Sequence, residues 1–215
     1  VPVVGPSAPP LPPLDQLAEP GLLPVRAVMP YHRNENFTGR VEELLQLAAW
    51  MLLRPGLEKG GPQSTAITGM GGVGKTQLAV EFCYRYGRFF PGGVFWMSFA
   101  SPETVMEEIA TTGGQGGMAL FRESDPLTLT DRVGKVTQAW QNQIPKLLIF
   151  DNCEDEQLLE KWRPVTGASH VLITSQRGYW SPELNIRQLP LSVMQPQESI
   201  LLLQKIFSQL NDTVA

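Results

Sequence analysis

Residues 69 to 76 read Gly-Met-Gly-Gly-Val-Gly-Lys-Thr, and no other stretch of the chain is as suited to chemistry. They satisfy G-x-x-x-x-G-K-[ST] at every specified position. A polyphosphate is held by backbone N–H groups aimed at it, and side chains on the loop would block the approach. Gly69, Gly71, Gly72 and Gly74 remove those side chains and permit turns with φ > 0. A helix beginning near Gly74 adds about half a positive charge at its N-terminus. Lys75 is placed to reach the β- and γ-phosphates, and Thr76 to ligate a Mg²⁺ that keeps most of its waters. The expected cofactor-contacting run is therefore Gly71, Gly72, Val73, Gly74, Lys75, Thr76 and Gln77.

A cradle binds; hydrolysis needs more. Seventy-six residues after Lys75, Asp151 closes the stretch KLLIFD. A carboxylate at the C-terminal tip of a buried parallel strand points into the crevice where open α/β sheets hold ligands. Asp151 is thus the candidate metal-side carboxylate, catalytic together with Lys75; the competing reading is a strand-end cap for the next helix. GQGGMA at 114–119 fits the dinucleotide pattern G-x-G-x-x-A, but it follows a helix-like run rather than a strand and is discounted.

These residues need elements to carry them. Thr65 to Thr68 predicts a buried strand, and Lys75 to Tyr86 a helix stopped at Gly87. Further strands are expected at 92–99, 146–151, 169–174 and 186–191. GRVEELLQLAAWMLL predicts a helix ending near Pro55-Gly56, and SPETVMEEIA one opened by Ser101 with Pro102 at its first position. Further helices are expected over LTDRVGKVTQAWQNQ, weakened by Gly134, over EDEQLLEKW, and from Pro196 to Leu210. TTGGQGG reads as a loop. Strands alternating with helices predict a mainly parallel sheet with right-handed crossovers. Nine of the nineteen prolines fall in residues 1–30, which predicts an extended linker outside the sheet.

The bulk composition narrows the function. A chain of 215 residues with 42% hydrophobic content can bury a full core. Net charge is −4 and no lysine or arginine cluster stands out, which argues against a nucleic-acid partner. Cys83 and Cys153 have no CxxC or Cys/His spacing and are expected as reduced thiols of a cytoplasmic protein; His32 and His170 are too few for a zinc site. No apolar run approaches the ~18 residues of a membrane span. Lacking an initiator methionine and any signal-peptide pattern, the sequence is expected to be part of something longer.

The order FTGR (37–40), GMGGVGKT, VFWMSF (94–99), LLIFD (147–151), VLITS (171–175) and LPLSVMQPQES (189–199) resembles the NB-ARC group of STAND-type P-loop NTPases, from about Pro30 onward. That group includes nucleotide-switch modules of plant resistance proteins, apoptosome-type proteins and bacterial, NLR-like relatives. The resemblance implies a three-layer α/β sandwich on a five-stranded sheet of order 5-1-4-3-2, preceded by the Pro-rich extension. It divides the chain into a linker (1–30), a nucleotide-binding domain (31–195) and the start of an ARC helical subdomain (196–215). Phe37, Thr38, Gly39 and Arg40 would lie along the adenine and ribose, with Arg40 touching base or phosphates; a helix start capped by Thr38 is the competing reading of FTGR, and the two are compatible. Thr174 and Ser175 would match the strand end that senses the γ-phosphate, while Trp96 fits the core. The implied ligands are ADP or ATP with Mg²⁺. The implied partners are an effector domain before the chain, a sensor after it, and further copies on activation.

Two departures bear on turnover. Many relatives carry a second acid after the strand-end Asp; here Asn152 stands there, and an amide accepts no proton at neutral pH. Glu154, Asp155 or Glu156 could substitute, or could serve the dipole of the following helix. Relatives also place arginine directly after the T-[ST] pair, where this chain has Gln176; Arg177, one residue late, fits a phosphate contact or a surface role. The expectation is a nucleotide-binding switch with slow ATP hydrolysis at most. The alternative is an AAA+-like ATPase whose turnover drives conformational work.

Overall fold

The structure, a computed structural model, describes residues 10, 13, 15–52 and 62–214. Among the described residues six strands form one sheet: β1 (Ala27–Val28), β2 (Gln63–Thr68), β3 (Val94–Ser98), β4 (Leu147–Asp151), β5 (His170–Ser175) and β6 (Ile186–Pro190). The connecting helices are α1 (Val41–Leu52), α2 (Lys75–Tyr86), α3 (Val105–Thr112), α4 (Leu129–Trp140), α5 (Glu156–Trp162) and α6 (Pro196–Val214). Strand order is β1-β3-β4-β5-β2-β6 and every neighbouring pair is parallel.

A parallel sheet covered on both faces needs strands that are apolar on both faces. LLIFD meets that need by period-two alternation. Leu147 and Ile149 join the core beneath α1 and α2, while Leu148 and Phe150 join the one beneath α3, α4 and α5. Helix α1 contributes Leu44, Leu47, Ala48 and Met51, the i, i+3, i+4, i+7 stripe of a one-sided helix. Helix α2 is buried nearly all round, so its two ends and one outer stripe are what remain for function.

The five expected strands take the expected order, and a sixth is added. Ala27–Val28 pairs with Val94–Phe95 at the sheet edge, which corrects the placement of the Pro-rich segment outside the sheet. The reason is local. Between Pro24 and Pro30 lie five residues that keep their N–H groups, enough for a two-residue edge strand. Farther upstream Ala18 is buried in the core.

Helix α3 begins at Val105 rather than at Pro102. Residues 102–104 form turns instead, with Thr104 N–H bonded to the Ser101 carbonyl and the Ser101 hydroxyl to Glu103. Gly134 does not interrupt α4, whose start is secured by a reciprocal Thr128–Asp131 capping box. The expected stop of α1 at Pro55-Gly56 lies outside the described residues.

Candidate functional site

The glycine-rich loop joins β2 to α2 at the carboxyl end of the sheet. Gly69 has φ +145°, and a Cβ there would run into the Leu191 carbonyl oxygen at the end of β6. Gly72 and Gly74 have φ +77° and +100° with open space around them, so there the backbone conformation alone requires glycine. Gly71 faces the Gln176 side chain, whose Oε1 would stand 3.4 Å from an added Cβ. Gln176 therefore lies over the loop. Val73 is half-buried against the core beneath α1 and α2, the same core against which Phe37 packs.

Lys75 is buried, and its Nζ donates to the carbonyls of Gly69 and Met70, both at 2.8 Å. The ammonium is thus held across the loop rather than out in solvent. Beside it two hydroxyls converge on one carboxylate oxygen. Thr76 Oγ1 donates to Asp151 Oδ1 at 3.1 Å, and Thr174 Oγ1 to the same atom at 2.5 Å. Thr174 in turn accepts the Asn152 N–H at 2.9 Å, with Asn152 at φ +60°. A hydroxyl and a carboxylate beside a phosphate cradle form a hard-oxygen set suited to Mg²⁺, so Thr76 and Asp151 fit the implied ion.

The three acids after Asn152 are all engaged elsewhere. Glu154 accepts the Ser175 hydroxyl at 2.8 Å and the N–H groups of Gln176 and Arg177 at 2.7 and 3.0 Å, which pins the chain leaving β5. Asp155 caps α5 through the Gln157 and Leu158 N–H groups. Glu156 accepts the Ser181 N–H and pairs with Arg177 at 3.2 Å. Arg177 further donates to the Tyr179 carbonyl and lies over the Trp180 ring, which gives it a structural role.

The expected base end is built differently. Gly39 and Arg40 are both left-handed, at φ +73° and +59°. Arg40 is buried; its guanidinium pairs with Glu43 at 2.9 Å and donates to the Ser192 carbonyl at 2.7 Å. Its backbone N–H goes to Glu198 of α6 at 2.9 Å. A Cβ on Gly39 would collide with that same Glu198 carboxylate, so the glycine is what admits it. The Thr38 hydroxyl donates back to the Asn36 carbonyl at 2.8 Å, so it does not cap α1. Gln77 is exposed and accepts from Asn34 at 3.3 Å. Trp96 is in the core, with the Tyr31 ring edge-on at 5.0 Å. The Tyr31 phenol is pushed up by burial, then by the nearby charges of Asp151 and Glu108.

The structure thus gathers Lys75, Thr76, Asp151 and Thr174 into one cluster and sets Arg40 into a separate network. Sequence reasoning missed Glu198, and it named Gln176 as a departure without its place over the loop; the partners of both are distant in sequence. Among the described residues no group of three or more His, Cys, Asp or Glu could hold a metal, and no helix is long and apolar enough to cross a membrane. GQGGMA falls in turns after α3, as its discounting requires.

A parallel sheet with a glycine-rich phosphate loop leading into a helix, and an acid at the neighbouring strand tip, defines a P-loop NTPase domain. The fold is similar to that of the Orc1 protein of Aeropyrum pernix, solved in complex with DNA, at TM-score 0.54 and 17% identity over 84% of this chain and 52% of that one. No protein-family model matches the chain. Regulatory protein AfsR of Streptomyces griseus is 28% identical over 178 residues, 80% of this chain. A nucleotide-binding leucine-rich repeat (NLR)-like protein of Hyaloscypha variabilis is 41% identical over 71 residues, 33% of this chain. The chain spans 17% of the length of that AfsR and 7% of that NLR-like protein. In sequence the chain is thus similar to a bacterial regulatory protein over most of its length and to an NLR-like protein over a third of it.

Proposed function

We propose that the chain is an adenine-nucleotide-binding switch, taking ADP or ATP with Mg²⁺ and hydrolysing ATP slowly at most. The observation that carries this reading is the cluster at the carboxyl end of the sheet: Lys75 across the loop, with Thr76 and Thr174 on Asp151. In it the N–H groups of Gly71, Gly72, Val73 and Gly74 take the phosphates, Lys75 neutralises their charge, and Thr76 and Asp151 hold the metal. Bound Mg²⁺ supplies neutralisation of the β- and γ-phosphate charge. Thr174 links the γ-phosphate side to Asp151 and, through the Asn152 N–H, to the strand tip. Phe37, Thr38, Gly39 and Arg40 line the base and ribose, with Gln77 beside them. Slow hydrolysis is supported by Asn152 and by the engagement of Glu154, Asp155 and Glu156 in structural bonds. A switch needs differential affinity for two states more than turnover; moving 1:99 to 99:1 takes about 5.5 kcal/mol.

The wider reading follows the same line. Residues 31–195 form the nucleotide-binding domain of a longer cytoplasmic signalling protein. Residues 1–30 lead from an effector domain, and α6 opens a helical subdomain toward a sensor. Its described outer face leaves Ile200, Leu201, Leu203 and Phe207 exposed, as the start of a further packed layer would. Activated copies assemble with one another.

Calorimetry with Mg²⁺ and ADP or ATP tests the core of this. The unmodified chain is expected to bind both, and Lys75→Ala to bind at least about 30-fold more weakly, the loss of a charge-assisted contact. Equal binding by the two would defeat the reading. Rapid steady-state turnover would instead favour the AAA+-like alternative.

A further inference from the structure

Helix α2 carries Lys75 and Thr76 at its start, and one outer stripe of it is occupied by residues 31–34. The spacing Gln77, Glu81, Tyr84 puts three side chains on one face, about a turn apart. Each meets the incoming segment in turn. Tyr84 Oη donates to the Tyr31 carbonyl at 2.9 Å. Arg33 grips Glu81 with two bonds, Nε to Oε2 at 3.0 Å and Nη2 to Oε1 at 2.9 Å. Asn34 Nδ2 donates to Gln77 Oε1 at 3.3 Å. The segment therefore runs down α2 toward the helix start into which the phosphate loop leads, and residues 37–40 follow it before α1.

Of the three contacts, the middle one is the strong one. A forked Arg–carboxylate pair fixes direction as well as distance. Glu81 is 1% exposed, and its second partner, Arg85, bonds Oε1 at 2.7 Å from one turn along the same helix. Glu81 thus stays paired within α2 without Arg33, and what Arg33 adds is the register of the strap. The strap's other rungs are exposed single hydrogen bonds.

We propose that Arg33 is a positioning residue for the base end of the site, acting through its ion pair with Glu81 to hold residues 37–40 in register with the phosphate loop. Nothing in Arg33 touches the loop itself, so its loss should be felt by the nucleoside half of a ligand and not by the phosphate half. This inference rests on the proposed nucleotide site.

The test uses the whole chain, calorimetry, and two probes: ADP and inorganic triphosphate, each with Mg²⁺. Arg33→Ala is expected to weaken ADP about tenfold, the usual scale for removing a group that orients a ligand-binding one, and to leave triphosphate within about twofold. Arg33→Lys, which keeps the charge but not the fork, is expected to fall between. Unchanged ADP affinity in Arg33→Ala overturns the proposal, as does an equal fall for both probes, the mark of a merely structural role. If Arg33→Ala fails to fold, Arg33→Lys carries the same comparison, and the same split or its absence decides. Binding of neither probe by the unmodified chain sinks the nucleotide site, and this inference with it.

Discussion

Lys75, Thr76 and the loop glycines form the phosphate end of the proposed site within eight consecutive residues, completed by Asp151 and Thr174 from two adjacent strand tips. The base end has no such local unit. Gly39 and Arg40 hold their left-handed turn because Glu198, 158 positions from Arg40, accepts the Arg40 N–H, and because Arg40 reaches the Ser192 carbonyl. The phosphate end is anchored to the sheet. The base end is clasped between α2 and α6, the helix with the most exposed apolar surface. If the domain is a switch, the part held by side chains of other elements is the part expected to move, and the part held by strand tips the part expected to stay fixed.

The sharpest way to break this contrast is Gly69→Ala. The added methyl meets the Leu191 carbonyl at a φ reserved for glycine, so the loop must shift at a cost of about 1–3 kcal/mol. Denaturant unfolding should show that loss, and triphosphate and ADP affinity should fall together. Unaltered stability and binding would mean that the loop is not built against β6 as described.

Glu198→Ala strips the acceptor from the Arg40 and Gln195 N–H groups. The expected cost is about 1–2 kcal/mol, with ADP affinity reduced and triphosphate affinity retained. A parallel fall of both ligands would merge the two ends into one.

Asn152→Asp changes only the phosphate end, because aspartate tolerates the same left-handed turn. Single-turnover rates should rise about tenfold or more, in the range that a positioned general base adds, while ADP affinity stays level. No gain would show that the missing second acid is not what limits hydrolysis.

The smallest effect is expected at the opposite end of the sheet, and serves as the control. Lys146 is buried, bonds Asn142 and the Ile144 carbonyl, and is pulled down to about 8 by burial. Below about 8 the ammonium is charged in folded and unfolded chains alike, and its burial cost is fully present. Between about 8 and 10.5 only the unfolded chain holds the proton, so this group's contribution to stability climbs with pH. Cys153, raised to about 12 by burial, opposes that climb above 9. The stability of the unmodified chain relative to Lys146→Met should therefore rise across the window, with no effect on either ligand. A flat difference would place the ammonium in contact with solvent.

Most of the sheet was legible because a strand buried on both faces is a short apolar run, and LLIFD and HVLITS leave little room for another reading. The edge strand at Ala27–Val28 was hidden by its prolines, which mask the five hydrogen-bonding residues between them. The start of α3 was misplaced because Ser101-Pro102 is also a turn signal, and the chain used it as one. At the site, the departure at Asn152 was visible, but the fate of Glu154, Asp155 and Glu156 was not. Three consecutive carboxylates look alike in sequence, and only their neighbours in space distinguish a strand-end clasp, a helix cap and an ion pair.

The amino-acid order by itself determined the phosphate loop, since the conformation needed there is forced by residues next to one another and by glycines that alone tolerate it. It also determined the alternation of strand and helix, because burial on both faces is written residue by residue. Only the folded molecule decided that Arg40 braces α6 rather than standing free, that Arg33 and Glu81 set the strap on α2, and that Gln176 rather than Arg177 lies over the loop. Those outcomes depend on groups far apart in the chain meeting at hydrogen-bond distance, and no local pattern encodes such a meeting.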